Sequence, residues 1–395
     1  MRFKVNRPLR ILTLSTLFPA ETRPNFGIFV ERQTAALAAL PDFDVTVINP
    51  IGIAPWPLGM ASSYTALKAL PANEQWRGIN VHRQRFMTIP KVGGRLNPAM
   101  IARTALPLAR RLHADKPFDL IDAEFFYPDG PAAMRLSDVL GIPFTIKARG
   151  SDIHHWGHQQ GSAPQLLQAA DKAAGLLAVS EALKSDMAAL GIDVAKITVH
   201  YTGLDQSRFA PRDQLKEKAR LGITGALILC IGALIVRKNQ RLLIEALPQL
   251  SGATLMLVGQ GPAEQDYRAL ATRLGVADRV RFMGNVPHDD LPAIFAAADV
   301  MALVSENEGL ANAWVEAIAC GTPVVASDVG GIRELIKTSD AGRIVERNPT
   351  AIATAITELL ANPPSREAVA ANVRVFSWDE NARTLAAFFR NIVAV

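Results

Sequence analysis

Two glutamates eight residues apart, Glu308 and Glu316, carry the clearest chemistry in this 395-residue chain. A carboxylate accepts hydrogen bonds and donates none, so the pair suits the vicinal hydroxyls of a ribose or a hexose. It would repel phosphate. A phosphorylated ligand bound here would therefore need free N–H groups and cations nearby, and Gly309, lacking a side chain, lets backbone approach a ligand closely. Taken alone the pair has a plainer reading, in which Glu308 favours a helix dipole by about 0.3–1 kcal/mol and Glu316 is a solvated helix residue.

The surrounding residues indicate how the pair is held. An apolar run at 300–304 precedes it and a second, at 323–326, follows it. Between them Asn312 is expected to cap a helix over 313–320, Gly321 to take the left-handed position after its last turn, and Pro323 to block continuation. The unit reads strand, loop, helix, strand, and in open α/β sheets ligands bind outside the carboxyl ends of strands. The same alternation runs through the whole chain. Strands are expected at 10–16, 45–49, 80–83, 120–122, 144–148, 176–180 and 197–201, then at 226–232, 254–259, 280–284, 300–305, 324–327 and 343–345. Two doubly wound parallel sheets in series, with the turn-rich 203–212 as linker and a cleft between the domains, satisfy this pattern.

Composition excludes several classes. With 49% apolar and 20% charged residues the chain is a large globular protein and not a disordered scaffold. Its two cysteines, Cys230 and Cys320, lie in apolar surroundings and read as buried thiols of a reducing compartment. Arg7, Arg10 and the apolar 11–18 faintly imitate a secretion signal, but the run is short and no small-residue cleavage site follows. No other apolar run reaches the roughly 20 residues of a spanning helix, so a cytoplasmic protein is expected. Residues 1–200 hold 22 Lys and Arg against 16 Asp and Glu, and the remainder 20 against 21. Arg77, Arg83, Arg85, Lys91, Arg95, Arg103, Arg110 and Arg111, interleaved with Trp76, Phe86, Met87 and Ile89, suit anionic lipid head groups, and equally an ordinary solvated surface. No nucleic-acid reader motif accompanies the charge.

The stretch 308–326 resembles the donor-site signature of retaining glycosyltransferases of family 4, which have the two-domain GT-B architecture. Glu308, Glu316, Ala317, Ala319, Gly321, Pro323, Val324, Val325 and Ala326 all match it. The resemblance implies that Glu316 binds the nucleotide ribose and Glu308 the transferred sugar. Many members have Gly-Phe-Gly after the first glutamate; here Gly309, Leu310, Ala311 and Asn312 take its place as candidate donor contacts. The run 231–239 is similar to the family's Gly-Arg-Leu-x-x-x-Lys-Gly, so Lys238 matches the diphosphate lysine, while Ala233 replaces the arginine and Arg237 is the candidate substitute. Gly27 matches a family glycine beside the donor phosphates, and Val286 falls in a stretch that resembles the family's approach to the nucleobase. The run 146–153 resembles the family's His-Gly-x-Asp with Arg149 in place of histidine. Arginine is no base at neutral pH, so its part would be electrostatic, and Asp152 would orient acceptor or sugar.

Further resemblances set the organisation. Gly259 and Gly261 look like the family's Val-Gly-x-Gly-Pro loop, and Glu264 stands where a dinucleotide fingerprint needs its third glycine, so NAD is not expected. Asp42 and Asp44 have D-x-D spacing but precede a strand, which reads as a turn without metal. Phe376, Trp378 and the amphipathic 380–395 are similar to the family's terminal helix, which returns to the first domain. The expected division is 1–205 with 378–395, and 206–377. The family implies retaining transfer of a sugar from a nucleoside-diphosphate sugar to a glycan or lipid-linked hydroxyl, in bacterial polysaccharide or glycolipid synthesis, without cofactor or metal. The work would be done in the cytoplasm or at the inner face of the plasma membrane. An epimerase or phosphorylase of the same architecture, or a non-catalytic nucleotide-sugar-binding protein, are the alternatives.

Overall fold

The computed structural model describes residues 7–90 and 93–394. They form two compact units, 7–203 together with 378–394, and 204–377. In the first unit the strands are β1 (Leu9–Leu14), β2 (Phe43–Ile53), β3 (Asn73–Trp76), β4 (Ile79–Met87), β5 (Leu120–Ala123), β6 (Phe144–Ala148), β7 (Gly175–Ala178) and β8 (Ile197–Val199). They make one sheet in the order β3-β4-β2-β1-β5-β6-β7-β8, parallel except for the β3–β4 pair. The β3–β4 hairpin was not expected from sequence. Its turn places Arg77 and Gly78 both at positive φ, 48° and 84°, as a two-residue mirror-image turn requires. β3 itself, Asn-Glu-Gln-Trp, has little of the β-branched character that marks a strand.

β2 also runs further than expected, through Pro50 to Ile53, and stays paired with β4. Its start at Phe43 is two residues earlier than expected, so Asp44 lies inside a strand rather than in a turn. Its carboxylate meets Arg10 Nε at 3.0 Å and Lys116 Nζ at 2.6 Å, while Asp42 meets Arg390. The helix Trp378–Val393 belongs to this unit. Leu385, Ala386 and Phe389, one helical face, are buried with Leu9, Ile11, Phe43, Val45, Leu120 and Leu177. Trp378 opens the helix and packs on Gly203, where an added Cβ would stand 2.3 Å from the indole.

The second unit contains β9 (Leu227–Ile231), β10 (Thr254–Val258), β11 (Val280–Gly284), β12 (Val300–Leu303), β13 (Val324–Ser327) and β14 (Gly342–Val345). All pairs are parallel and the order is β11-β10-β9-β12-β13-β14. That is the doubly wound arrangement in which the chain reverses its direction of travel between the central strands, here β9 and β12. β12 and β13 are buried on both faces, which is why they read as unbroken apolar runs. Cys230 and Cys320 are free and buried, and burial pushes both thiols up to about 12.

Candidate functional site

Between β9 and β12 two loops leave adjacent strands in opposite directions, and the sequence places its charged residues in both. The loop after β9 is a turn of 3-10 helix, Val236–Lys238, followed by Asn239 at positive φ. The loop after β12 carries Glu306, Asn307 and Glu308. They are stitched together: Glu306 N donates to Arg237 O at 2.9 Å, Arg237 Nη1 donates to Asn307 O at 3.0 Å, and Asn239 Nδ2 donates to Val304 O at 3.1 Å. Lys238 Nζ donates to Glu308 Oε1, and Arg237 Nη1 lies 3.9 Å from the same oxygen. Lys238 and Glu308 are thus brought together at the switch point, with 14% and 11% of their side chains exposed.

Glycines set how tightly this floor is built. Gly259 and Gly261, after β10, lie against the loop after β9, where a Cβ would come within 2.1 Å of Gly232 O and 2.2 Å of Leu234 O. No side chain fits there. Gly330 plays the same part for the other loop, since its Cβ would stand 2.4 Å from Glu308 O. Gly331 N then donates to Gly309 O at 2.8 Å, which holds Gly309 and the buried Leu310 in place. Gln240, fully buried, donates to Ala233 O at 2.9 Å, so the backbone at Ala233, the position of the missing arginine, is pinned from below.

The helix after Glu308 spans Asn312–Ala319, and its cap is Ala311, without a side-chain hydrogen bond. Asn312 is therefore the first helical residue and not the cap, a correction of one position. The extended φ and ψ of Ala311, −70° and 118°, already turn the chain into the helix, and so no capping side chain is needed to set its entry. Glu316 lies one turn on, and its Oε1 is 2.8 Å from His288 Nε2. His288 in turn packs beside Phe209, with ring centroids 5.2 Å apart. His288 follows the loop after β11 in which Val286 is half-buried. That loop is joined to the Gly259 loop by Gly259 N donating to Gly284 O at 2.8 Å and Asn285 Nδ2 donating to Gln260 Oε1 at 3.0 Å. His288 is barely legible in sequence. Its only signal was its place just past Pro287, at the carboxyl end of a strand.

In the first unit Gly27, Arg149 and Asp152 also lie past strand ends. Gly27 has φ 72° and precedes the helix Ile28–Ala38, and a Cβ on it would stand 2.4 Å from the Leu17 backbone. Only glycine fits. Asp152 is fully buried and accepts from the backbone N–H of Phe126 at 2.8 Å, Arg149 at 3.0 Å and Gly150 at 2.7 Å. Burial raises its pKa and these donors partly offset the rise. The carboxylate holds its own turn. Arg149 pairs with Glu124, donates through Nε to Glu124 O at 2.8 Å, and stacks 4.7 Å over Phe29.

Beneath that pair lies a buried polar cluster that the sequence reading did not single out. Gln33 donates to Glu124, and Lys147 Nζ donates to Gln33 Oε1 at 2.5 Å and to His200 Nδ1 at 2.6 Å. His200 Nε2 reaches Asn381 O on the terminal helix at 2.9 Å. Burial, helped by Arg149, brings Lys147 down to about 7, and burial with Lys147 drives His200 well below its ordinary value. Burial alone would raise Glu124, but Arg149 and Lys147 outweigh it and hold the carboxylate low. The signal was present in the sequence: Lys147 interrupts Phe-Thr-Ile-Lys-Ala, a strand otherwise suited to burial on both faces.

Comparison with known proteins adds the family. The description "Glycosyl transferases group 1" matches residues 211–376, and "Glycosyl transferase 4-like domain" matches 27–203. TuaC of Bacillus subtilis, a glycosyltransferase assigned to teichuronic acid biosynthesis, is 30% identical over 359 residues, 88% of each chain. This chain is a group 1 glycosyltransferase. A GDP-mannose-dependent phosphatidylinositol monomannoside mannosyltransferase of Mycobacterium tuberculosis is 37% identical over 209 residues, 48% of this chain and 54% of that protein. Among solved structures, sucrose-phosphate synthase of Thermosynechococcus elongatus superposes with a TM-score of 0.82 at 20% identity, covering 98% of this chain and 99% of the other. Anabaena HepE in complex with UDP-glucose gives 0.73 at 22%, covering 97% and 100%. At such identity these likenesses speak for fold alone, and the fold is GT-B: two α/β units with parallel sheets. The glycosyltransferase has the partly exposed pairs Lys238–Glu308 and His288–Glu316 on the second unit, around the reversal between β9 and β12.

Proposed function

We propose that this glycosyltransferase moves a sugar from a nucleoside-diphosphate sugar to a hydroxyl, with retention of anomeric configuration, in the synthesis of a bacterial surface polysaccharide or glycolipid. The observation that carries the reading is the pairing of Lys238 with Glu308 at the switch point, eight residues before a second carboxylate, Glu316, in the first turns of the helix that follows. A cation that leaves its carboxylate for a diphosphate frees that carboxylate for sugar hydroxyls, so one ligand satisfies both halves of the pair. Glu316 accepts from the ribose hydroxyls and His288 orients it. Arg237 supplies the second positive charge near the phosphates, and Val286 and its neighbours meet the base. Lys238 and the loop N–H groups stabilise the departing diphosphate, so no metal is required. The activities of TuaC and of the mannosyltransferase, and the UDP-glucose held by HepE, support a nucleotide sugar as the donor and a glycan or lipid-linked acceptor.

Thermal stabilisation by a panel of UDP-, GDP- and ADP-sugars identifies the donor, since a ligand at 100 times its Kd adds about 2.7 kcal/mol. With that donor Glu316→Ala should lose about 1.5–3 kcal/mol of binding, the scale of hydrogen bonds to a charged group. Unchanged affinity and turnover would remove Glu316 from the site. Activity should persist in EDTA, and the product's anomeric coupling constant decides retention.

A further inference from the structure

The acid-poor segment between β2 and the helix Asn97–Asp115 folds into a surface that nothing in the donor chemistry uses. Residues 50–114 contain nine Lys and Arg and one acidic residue, Glu74, whose carboxylate accepts from the buried Arg83 Nε at 2.6 Å. These charges do not form a single face, because Arg83 is fully buried, Phe86 is buried and Trp76 is half-buried, while Lys91 lies outside the described residues. What the fold brings together instead is apolar. Trp56 is 81% exposed, Leu58 57% and Met60 68%, all in the turn that follows β2. Met87 and Ile89, at the end of β4, and Leu96 are exposed as well.

Four hydrogen bonds join these segments. Ile53, the last residue of β2, is in register with Met87, and Thr88 N donates to Ile53 O at 3.0 Å. Thr88 Oγ1 donates to Asn97 Oδ1 at 2.9 Å, which brings the residue after Leu96 to the same strand end. Lys68 Nζ donates to Gly59 O at 2.8 Å and Arg85 Nη2 to Lys68 O at 3.0 Å, so two cations border the Trp56 turn, and Arg95, exposed, borders Leu96. Large exposed apolar side chains clustered within a basic rim are unusual on a soluble surface and mark a binding face.

We propose that this face seats the first unit on a membrane rich in anionic phospholipid, with Trp56, Leu58, Met60, Met87, Ile89 and Leu96 entering the head-group boundary and Lys68, Arg85 and Arg95 meeting phosphate. The charge imbalance argues for lipid over a second copy of the chain, since two such basic faces would repel one another. Apolar burial and charge act together in interfacial binding, and each basic residue near an anionic surface adds about fivefold. The proposal is independent of the donor assignment.

Co-sedimentation of the full chain with vesicles of phosphatidylcholine, with or without phosphatidylglycerol, tests it. The wild type should partition onto the phosphatidylglycerol vesicles, weaken with added salt, and lose more than about tenfold in the variant Trp56→Ser/Leu58→Ser/Met60→Ser. Lys68→Gln/Arg95→Gln should lose about 25-fold, fivefold for each charge, on the anionic vesicles alone. Because these side chains are exposed, thermal midpoints should stay at the wild-type value. Glu316→Ala should bind vesicles normally whether or not it still binds donor, which separates this surface from the donor site. Equal partitioning of the wild type onto both lipids, or wild-type binding by the triple serine variant, overturns the proposal. So does a wild-type dimer that the triple variant converts to monomer, because a second copy would then cover the face.

Discussion

The two units reverse their sheets at corresponding places, yet they furnish those places differently. Between β9 and β12 the charged residues have few partners and partial exposure: Lys238 meets Glu308, and Glu316 meets His288. In the first unit, where the reversal falls between β1 and β5, the carboxylates and cations just past β5 and in and past β6 are saturated by the protein itself, with Glu124, Lys147 and Asp152 fully buried. A side chain with one exchangeable partner can trade it for a ligand. One held by several buried donors cannot do so without exposing an uncompensated charge. The difference separates residues suited to binding from residues that hold a shape, although both kinds lie at strand ends and look alike in sequence.

Arg149→Met offers the hardest blow to this distinction. It leaves Glu124 buried beside Lys147 without its guanidinium, so urea unfolding should show a loss of about 3–5 kcal/mol. A loss under about 1 kcal/mol would mean that the cluster is wet and exchangeable, and the contrast would collapse. Lys238→Ala comes next: turnover with the identified donor should drop about 10²–10³-fold, the scale for one preorganised donor to a developing anion, with a smaller stability change than Arg149→Met.

The third probe is pH. Asp129 Oδ2 accepts from Thr16 N at 2.9 Å, and burial lifts its pKa to about 8. Its folded value lies above the unfolded one, so between about pH 4 and 8 the folded chain holds a proton that the unfolded chain has released. Stability therefore falls as pH rises through that window, by at most about 1.4 kcal/mol per unit. Asp129→Asn, which keeps an acceptor for Thr16, should flatten that part of the curve, and parallel slopes for the two proteins would refute the burial argument. His288→Ala is the mildest. Its removal should weaken donor binding several-fold through loss of Glu316 orientation, while leaving turnover at saturating donor nearly unchanged; an equal loss in both would give His288 contact with the reacting groups.

The double sheet was legible because parallel strands buried on both faces leave unbroken apolar runs, as at β12 and β13. β3 was not, since three of its four residues are polar and it is held by a hairpin turn and by Arg83 in its neighbour. In the site, the spacing of Glu308 and Glu316 and the position of Lys238 could be read locally, but the bond between Lys238 and Glu308 spans 70 residues of sequence and exists only because β9 and β12 are neighbours. His288 and the Lys147 cluster were hidden for the same reason. Their partners come from other strands, and in Lys147's case the chain of contacts ends on Asn381.

That last contact bears on the order in which the protein matures. Residues 204–377 form one continuous stretch, so the second unit can close while the ribosome is still adding the terminal helix. The first unit has to wait. Leu385 and Phe389 complete the hydrophobic layer begun by Leu9 and Ile11, His200 gains its acceptor at Asn381 O, and Asn381 Nδ2 donates to Tyr201 O at 2.6 Å. Until that helix is made, the half of the protein made first holds an open apolar seam along Leu9, Ile11 and Leu177 and an unfinished polar cluster.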